Sequence, residues 1–448
     1  MQSQKKQFVI IGLGKSGVSC ARYLKRNNIA FSIFDTRAEP PGLADFKNEF
    51  PDVPLYLENC AAEIFTQASE LIVSPGVALE TPVIAKAINA GVHAIGDIEL
   101  FARAAQAPIV AITGTNAKGT VTTLVGNMAK NAGLNVQVGG NIGTPALELL
   151  QNEKPDLYVL EISSFQLDTT YSLKTAAAAV LNITEDHLDR HGTMANYIAA
   201  KQRIYQQTNC AVWNREDAHT RPPAAITKQF TFGLTVPARG EFGIVQAEQQ
   251  AWLAYDNQKL MPVKELLIIG QHNWSNALAA LALGTAIQLP LPAMLQTLRT
   301  FKGLSHRCEW VAEYNGVTWY DDSKGTNVGA TIAAIEGLGA VTRGKLILIA
   351  GGIDKGADFT QLQPAVDKFV KAVVLFGQDA HLIEKGLANR VPIHHAKNLA
   401  EAVTLAAQQA KAADAVVLSP LCTSFDMFRN AEDRGDQFKE WVKKNGSA

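Results

Sequence analysis

At 448 residues the chain has room for two to four domains, since one domain typically takes about 100–200 residues. Hydrophobic residues make up 47% and charged residues 19%, a globular-enzyme balance. The formal net charge of -1 argues against a broad basic surface for nucleic acid or anionic lipid, so an anionic ligand needs a local site.

The first stretch opens with an apolar strand, Phe8 to Ile11, then a glycine turn and a helix pattern to about Asn27. Strand patterns follow at Phe31 to Phe34 and Glu70 to Val73. The second stretch starts near Gly96, with strands Pro108 to Thr113, Leu157 to Leu160 and Ala178 to Ile183. A helix pattern over Val121 to Ala132 stops at Gly133, a natural C-terminal stop. Short runs at Phe230 to Phe232, Gly243 to Gln246 and Trp252 to Tyr255 predict a small antiparallel insert, followed by a helix over Ser275 to Ala286. In the third stretch, strands Lys345 to Ala350, Ala372 to Phe376 and Ala415 to Leu418 alternate with helices. A last helix is expected over roughly Phe428 to Lys443. Strand–helix alternation predicts an α/β fold of three domains (1–96, 97–302 and 303–448), each a mostly parallel sheet with flanking helices. The outer two read as Rossmann-like and the central one as P-loop ATPase-like.

The cysteines, Cys20, Cys60, Cys210, Cys308 and Cys422, form no CxxC pair. That argues against a disulfide framework or a zinc site and fits a reducing cytoplasm. Polar Met1 to Gln7 does not read as a signal peptide, and no segment approaches the roughly 20 apolar residues of a membrane helix.

Gly12-Leu13-Gly14-Lys15-Ser16-Gly17 places GxGxxG between a strand and a helix, where backbone and helix N-terminus can meet a diphosphate. Asp35 ends the next strand, where an acid commonly meets a ribose hydroxyl. The motif points to a nucleotide or nucleotide-sugar without saying which; a bare glycine turn is the alternative.

Gly114-Thr115-Asn116-Ala117-Lys118-Gly119-Thr120 occupies a P-loop position, with backbone N–H groups for phosphates and a lysine for the transferring group. It is an imperfect match: Ala117 stands where the usual loop has glycine, and Gly119 where it has a hydroxyl for Mg²⁺. Ala117 adds a methyl and is expected at negative φ. Glu161 ends an apolar strand, where P-loop enzymes place an acid for Mg²⁺, and His187 lies just past another strand end. Ligands gather at such ends in parallel sheets. Lys201, on a helix pattern, reads from pattern alone as a surface lysine lying along its helix.

These residues resemble the Mur ligase family, and within it the branch that adds D-glutamate. The likeness rests on Gly114-Thr115-Asn116 with Lys118, Gly139 to Gly143, Glu161 with Ser163 to Leu167, Asn182 to His187, Gly270 to Asn273 with Asn276, and His306-Arg307. The most specific run is Asp321 to Asn327; Gly351 to Lys355 and Ser419 to Phe425 add to it.

The resemblance implies a cytoplasmic, monomeric ligase of peptidoglycan synthesis. It would join D-glutamate to UDP-N-acetylmuramoyl-L-alanine through an acyl phosphate, using ATP and Mg²⁺, with two ions expected. Gly14, Lys15, Ser16, Asp35, Thr36, Arg37, Gly76 and Asn141 would bind the UDP-sugar. Gly114 to Thr120, Asn273, Asn276, Arg307 and Asp322 would bind ATP. Lys324, Thr326, Lys355, Ser424 and Phe425 would bind D-glutamate. Glu161, His187 and a carbamylated Lys201 would hold metal, and Lys118, Asn141, His187 and Lys201 would form the catalytic set.

The resemblance also marks Gly119 as a departure, because the family carries Ser or Thr there. An NAD-dependent dehydrogenase, a sister ligase or folylpolyglutamate synthase, and an ATP-binding homologue weakened by Gly119 are the competing functions.

Overall fold

The computed structural model describes residues 7–151 and 153–446. All of the polar N-terminal run except Gln7 lies outside the described residues.

Five parallel strands make the first sheet: β1 (Phe8–Ile11), β2 (Phe31–Asp35), β3 (Leu55–Leu57), β4 (Glu70–Val73) and β5 (His93–Ile95), in the order β3-β2-β1-β4-β5. Every residue of β1 and β2 is buried, as expected for strands covered by helices on both faces.

The second sheet has nine strands. They are β6 (Ile109–Thr113), β7 (Val136–Gly140), β8 (Leu157–Glu161), β9 (Ala177–Val180), β10 (Ala211–Asn214), β11 (Gln229–Phe232), β12 (Glu241–Ala247), β13 (Gln250–Tyr255) and β14 (Gln258–Pro262). Their order is β14-β13-β12-β11-β10-β9-β6-β8-β7. The expected small antiparallel insert is present as β12 to β14, but its first expected strand, β11, is parallel. β11 pairs in parallel with both β10 and β12, and only β12 to β14 are antiparallel, so these strands extend the central sheet. The alternation in each strand was legible, but pairing partners are a tertiary matter.

The third sheet contains β15 (Glu309–Tyr314), β16 (Val317–Asp321), β17 (Leu346–Gly351), β18 (Val370–Phe376), β19 (Ile393–His395) and β20 (Ala415–Leu418). Their order is β15-β16-β20-β17-β18-β19, parallel except for the β15–β16 pair.

The domains are joined in two different ways. One apolar core runs from the first sheet into the second through helix Asp97–Ala104, where Phe101 meets Tyr158 edge-on at 5.0 Å. The third domain instead meets the phosphate loop through polar contacts. Asn116 and Asn327 exchange amide hydrogen bonds at 3.3 and 3.0 Å, and Lys355 pairs with Asp186 at 2.5 Å. In the central sheet β6, β8 and β9 run in parallel, so Gly114, Glu161 and Asn182 to His187 emerge at one edge. The five cysteines are free thiols.

Candidate active site

At the end of the first sheet lies a cavity of about 590 Å³. Its wall includes Gly14, Lys15, Ser16, Asp35, Thr36, Arg37, Gly76 and Asn141, all eight residues expected for the nucleotide-sugar. Helix Lys15–Arg26 starts directly on the glycine turn because Gly17 has no side chain; a Cβ there would lie 2.0 Å from the Gly12 carbonyl oxygen. The Asp35 carboxylate is engaged within the protein. It accepts from Leu13 N at 2.7 Å, from Arg37 N and Nε at 2.9 Å, and from Arg37 Nη2 at 2.7 Å. Burial works to raise its pKa, but the Arg37 and Leu13 donors prevail and hold it below its ordinary value. Asp35 thus braces the turn and aims Arg37. Gln166 also lines the cavity, although only its motif was noticed in the sequence. Its side chain closes a capping box with Ser163.

The phosphate loop is held from the β9 side. Thr115 N donates to Asn182 O at 2.8 Å, Asn116 N to Asn182 Oδ1 at 2.8 Å, and the Thr115 hydroxyl to Thr184 O at 3.1 Å. Ala117 has φ 68°, which corrects the expected negative value; the loop holds a left-handed alanine at about 1–2 kcal/mol. Helix Lys118–Asn131 begins at the next residue.

Two lysines converge on one carbonyl. Lys118 Nζ donates to Gly114 O at 2.9 Å and Thr115 O at 3.0 Å, and Lys201 Nζ donates to Gly114 O at 2.9 Å. Lys201 is only 2% exposed, with Nζ 4.5 Å from the Tyr197 ring centre. The surface reading of Lys201 is overturned: helix Met194–Gln202 packs that face against the loop. Burial, reinforced by Lys118, pushes the Lys201 pKa well down; burial also lowers Lys118, against the attraction of Glu161.

Glu161 is buried, and its Oε1 accepts from Asn141 Nδ2 at 2.6 Å. Its Oε2 lies 3.2 Å from where a Cβ on Gly119 would sit, so a hydroxyl residue at 119 would share the space in front of this carboxylate. His187 stands beside Phe165, ring centres 5.0 Å apart. Burial presses its pKa down to about 4, so the imidazole is neutral near pH 7 and able to ligate. A buried carboxylate and a neutral imidazole are each of metal-ligand type, but Mg²⁺ prefers oxygen. Lys201 joins such a set only as a carbamate.

Among the described residues, His306, Glu309 and Asp321 bring ligand-type atoms together elsewhere. His306 Nδ1 is already bonded to Asp321 at 2.7 Å, and Lys439 lies 3.3 Å from Glu309, so this is a hydrogen-bonded ion-pair network.

Asn116, Ala117, Thr120, Asn273, Asn276, Arg307 and Asp322 share a cavity of about 280 Å³; Gly114, Thr115, Lys118 and Gly119 do not line it. Burial pushes the Asp322 carboxyl up to about 7, although Ser419 Oγ donates to it at 2.7 Å. A small cleft brings Thr326 and Lys355 beside Asp186 and His187. The rest of the expected glutamate set is not assembled there. Lys324 pairs with Glu432 at 2.6 Å, Ser424 is buried and Phe425 is 71% exposed, and none of the three lines this cleft. Asp186 and Asn327 were not assigned from the sequence. The only signal was their place in runs otherwise singled out.

Three family descriptions match in series: Mur ligase MurD-like, N-terminal domain over residues 6–96, Mur ligase middle domain over 112–284, and Mur ligase, glutamate ligase domain over 306–422. The chain belongs to the Mur ligase family.

This Mur ligase is 53% identical over 440 residues to a UDP-N-acetylmuramoylalanine–D-glutamate ligase of Legionella pneumophila, covering 97% of this chain and 98% of that protein. It is 53% identical over 436 residues to the protein of the same name from Pseudomonas aeruginosa, covering 97% of each. Its fold resembles the UDP-N-acetylmuramate-alanine ligase MurC of Thermotoga maritima, with TM-score 0.64, 18% identity and 98% and 99% of the two chains covered. It also resembles the MurF ligase of Thermotoga maritima solved in complex with ADP, with TM-score 0.61, 16% identity and the same coverage. Among its described residues, no helix is long and apolar enough to cross a membrane.

Proposed function

We propose that this Mur ligase joins D-glutamate to UDP-N-acetylmuramoyl-L-alanine with cleavage of ATP, in peptidoglycan precursor synthesis. The substrate names come from the relatives. The structural observation that carries the reading is the position of Asn141, which lines the nucleotide-sugar cavity while its amide holds Glu161 beside the phosphate loop. A substrate anchored in that cavity can present its carboxylate where the phosphoryl group arrives.

A carboxylate is a poor acyl donor. Its oxygen attacks the γ-phosphorus, the bond to ADP breaks, and an acyl phosphate forms. The neutral D-glutamate amine then attacks the acyl carbon, and the tetrahedral intermediate gives up an amine proton and expels phosphate, leaving the amide. Lys118, at the loop, meets the phosphates, whose charge favours its protonated form over the neutral one that burial favours. Glu161, neutral His187 and carbamylated Lys201 are the residues that would hold Mg²⁺, which supplies charge neutralisation between the two anions. The neutral Lys201 amine would bond the carbon of carbon dioxide and release one N–H proton to solvent, so that an uncharged group becomes a carbamate anion. Thr326 and Lys355 are the candidates to take the D-glutamate carboxylates.

Phosphate release with ATP, Mg²⁺ and UDP-N-acetylmuramoyl-L-alanine, run against a panel of amino acids, tests the assignment. Release that depends on D-glutamate supports it. Release with another amino acid, or none with any, sinks it.

A further inference from the structure

The loop Ser74–Val77 follows β4 and forms part of the nucleotide-sugar cavity. Behind it lies a second cavity of about 490 Å³, also lined by Ser74, Pro75 and Val77. The loop is a thin wall between two open spaces, with Val77 packed against the core of the first sheet and hydrogen bonds holding its backbone. The Ser74 hydroxyl donates to Gly12 O at 2.8 Å, which ties the loop to the glycine turn. From the central domain, among the described residues, Arg190 supplies the ties: Nη1 donates to Gly76 O at 3.4 Å and Nη2 to Val77 O.

Arg190 sits in the short helix Leu188–His191, three residues past His187. Its guanidinium carbon lies 5.1 Å from the Phe165 ring centre. The other contacts of that ring hold the same helix: His191 stacks on it at 5.3 Å, and His187 meets it edge-on at 5.0 Å. One side chain therefore touches both the wall of the nucleotide-sugar cavity and the aromatic support of His187. Two carbonyl acceptors and a ring face suit the planar fork of arginine; a lysine ammonium reproduces the charge without the fork.

We infer that Arg190 is a positioning residue that couples occupancy of the nucleotide-sugar cavity to the placement of His187. Resting on the proposed ligase reading, it sets the span between the uridine anchor and the reacting carboxylate. The uridylyl part of the acceptor then contributes to the rate through Arg190, because remote binding energy helps only where geometry transmits it.

The test compares the wild type, Arg190→Ala and Arg190→Lys with two acceptors: UDP-N-acetylmuramoyl-L-alanine, and N-acetylmuramoyl-L-alanine 1-phosphate, which lacks the uridylyl group. In Arg190→Ala, kcat/KM for the full acceptor falls about tenfold or more, while the truncated acceptor changes by less than about twofold. Arg190→Lys recovers only part of the loss. Equal losses with both acceptors, or no loss with either, overturn the coupling. A second readout needs no turnover: UDP-N-acetylmuramoyl-L-alanine slows amide hydrogen exchange over residues 183–191 in the wild type but not in Arg190→Ala. Equal protection in both, or protection in neither, overturns the inference. Failure of the ligase reading shows separately, as absence of D-glutamate-dependent phosphate release by the wild type.

Discussion

Lys201 Nζ donates to the carbonyl oxygen of Gly114 at 2.9 Å, so a helix lysine is pinned to the first residue of the phosphate loop. Burial and the neighbouring Lys118 favour its neutral amine, the form that reacts with carbon dioxide. With ¹³C-bicarbonate, the wild type is expected to show a carbamate resonance that Lys201→Ala lacks. That variant loses about 100-fold or more in kcat, the scale of one removed charge-stabilising group, and added formate restores part of it. Full activity without Lys201 counts against the carbamate.

Gly119 leaves the space in front of Glu161 without a hydroxyl. In Gly119→Ser the new Cβ would lie 2.9 Å from Ile142 Cδ1, the far end of a flexible side chain, and 3.2 Å from Glu161 Oε2. A small shift of Ile142 accommodates it. The serine variant is expected to reach half-maximal activity at lower Mg²⁺ than the wild type, by a factor of about 5–30 for one added polar contact of about 1–2 kcal/mol. Superimposable Mg²⁺ curves sink this prediction.

The Lys355–Asp186 pair spans the central and third domains, and both side chains are largely buried. Lys355→Met leaves Asp186 uncompensated, and a loss of about 3 kcal/mol at pH 7 is expected by urea denaturation. Burial would raise Asp186, but Lys355 and His187 hold its folded pKa below the ordinary 3.8. The Lys355 contribution is therefore fully present above pH 3.8 and is lost as pH falls through the lower folded value. Wild type and variant should converge at acid pH. Adding Asp186→Asn to Lys355→Met should recover stability at pH 7, since it removes the stranded charge. No recovery would show that packing, not charge, carries the pair.

Asp322 has the opposite sign. Burial raises its folded pKa to about 7 from 3.8. The folded state keeps a proton that the unfolded state has lost, so stability falls as pH rises from 3.8 to about 7 and then levels off. The fall is on the order of 4 kcal/mol, at about 1.4 kcal/mol per pKa unit. Asp322→Asn removes this slope and is expected to weaken ATP binding, because Asp322 faces the cavity beside Arg307. Urea midpoints between pH 4 and 8 check the slope, and calorimetric titration with ATP checks the binding. A wild-type slope that survives in Asp322→Asn refutes the assignment.

Three parallel-sheet domains, the glycine turn at Gly12 and the loop at Gly114 were legible in the sequence because their signals are local. An apolar strand ending in glycine needs only its own few residues to declare a strand-to-helix turn, and Gly133 stops its helix with φ 88° in the same local way. Chain order also put Glu161 and His187 at strand ends, since parallel strands deliver their ends to one edge.

Tertiary structure decided what those local signals left open. Lys201 reads as a surface lysine until a carbonyl 87 residues away claims it. Asp35 reads as an acid placed for a ribose hydroxyl, and only the fold shows Leu13 and Arg37 donating to its oxygens; Lys324 is expected at the glutamate site, and only the fold shows its pairing with Glu432. Strands β12 to β14 form the antiparallel insert that the sequence suggests, and only the fold shows that β11 joins it to the edge of β10. Periodicity shows which face a residue takes on its own element. Protonation, pairing and strand partnership depend on groups that only folding brings within a few ångströms.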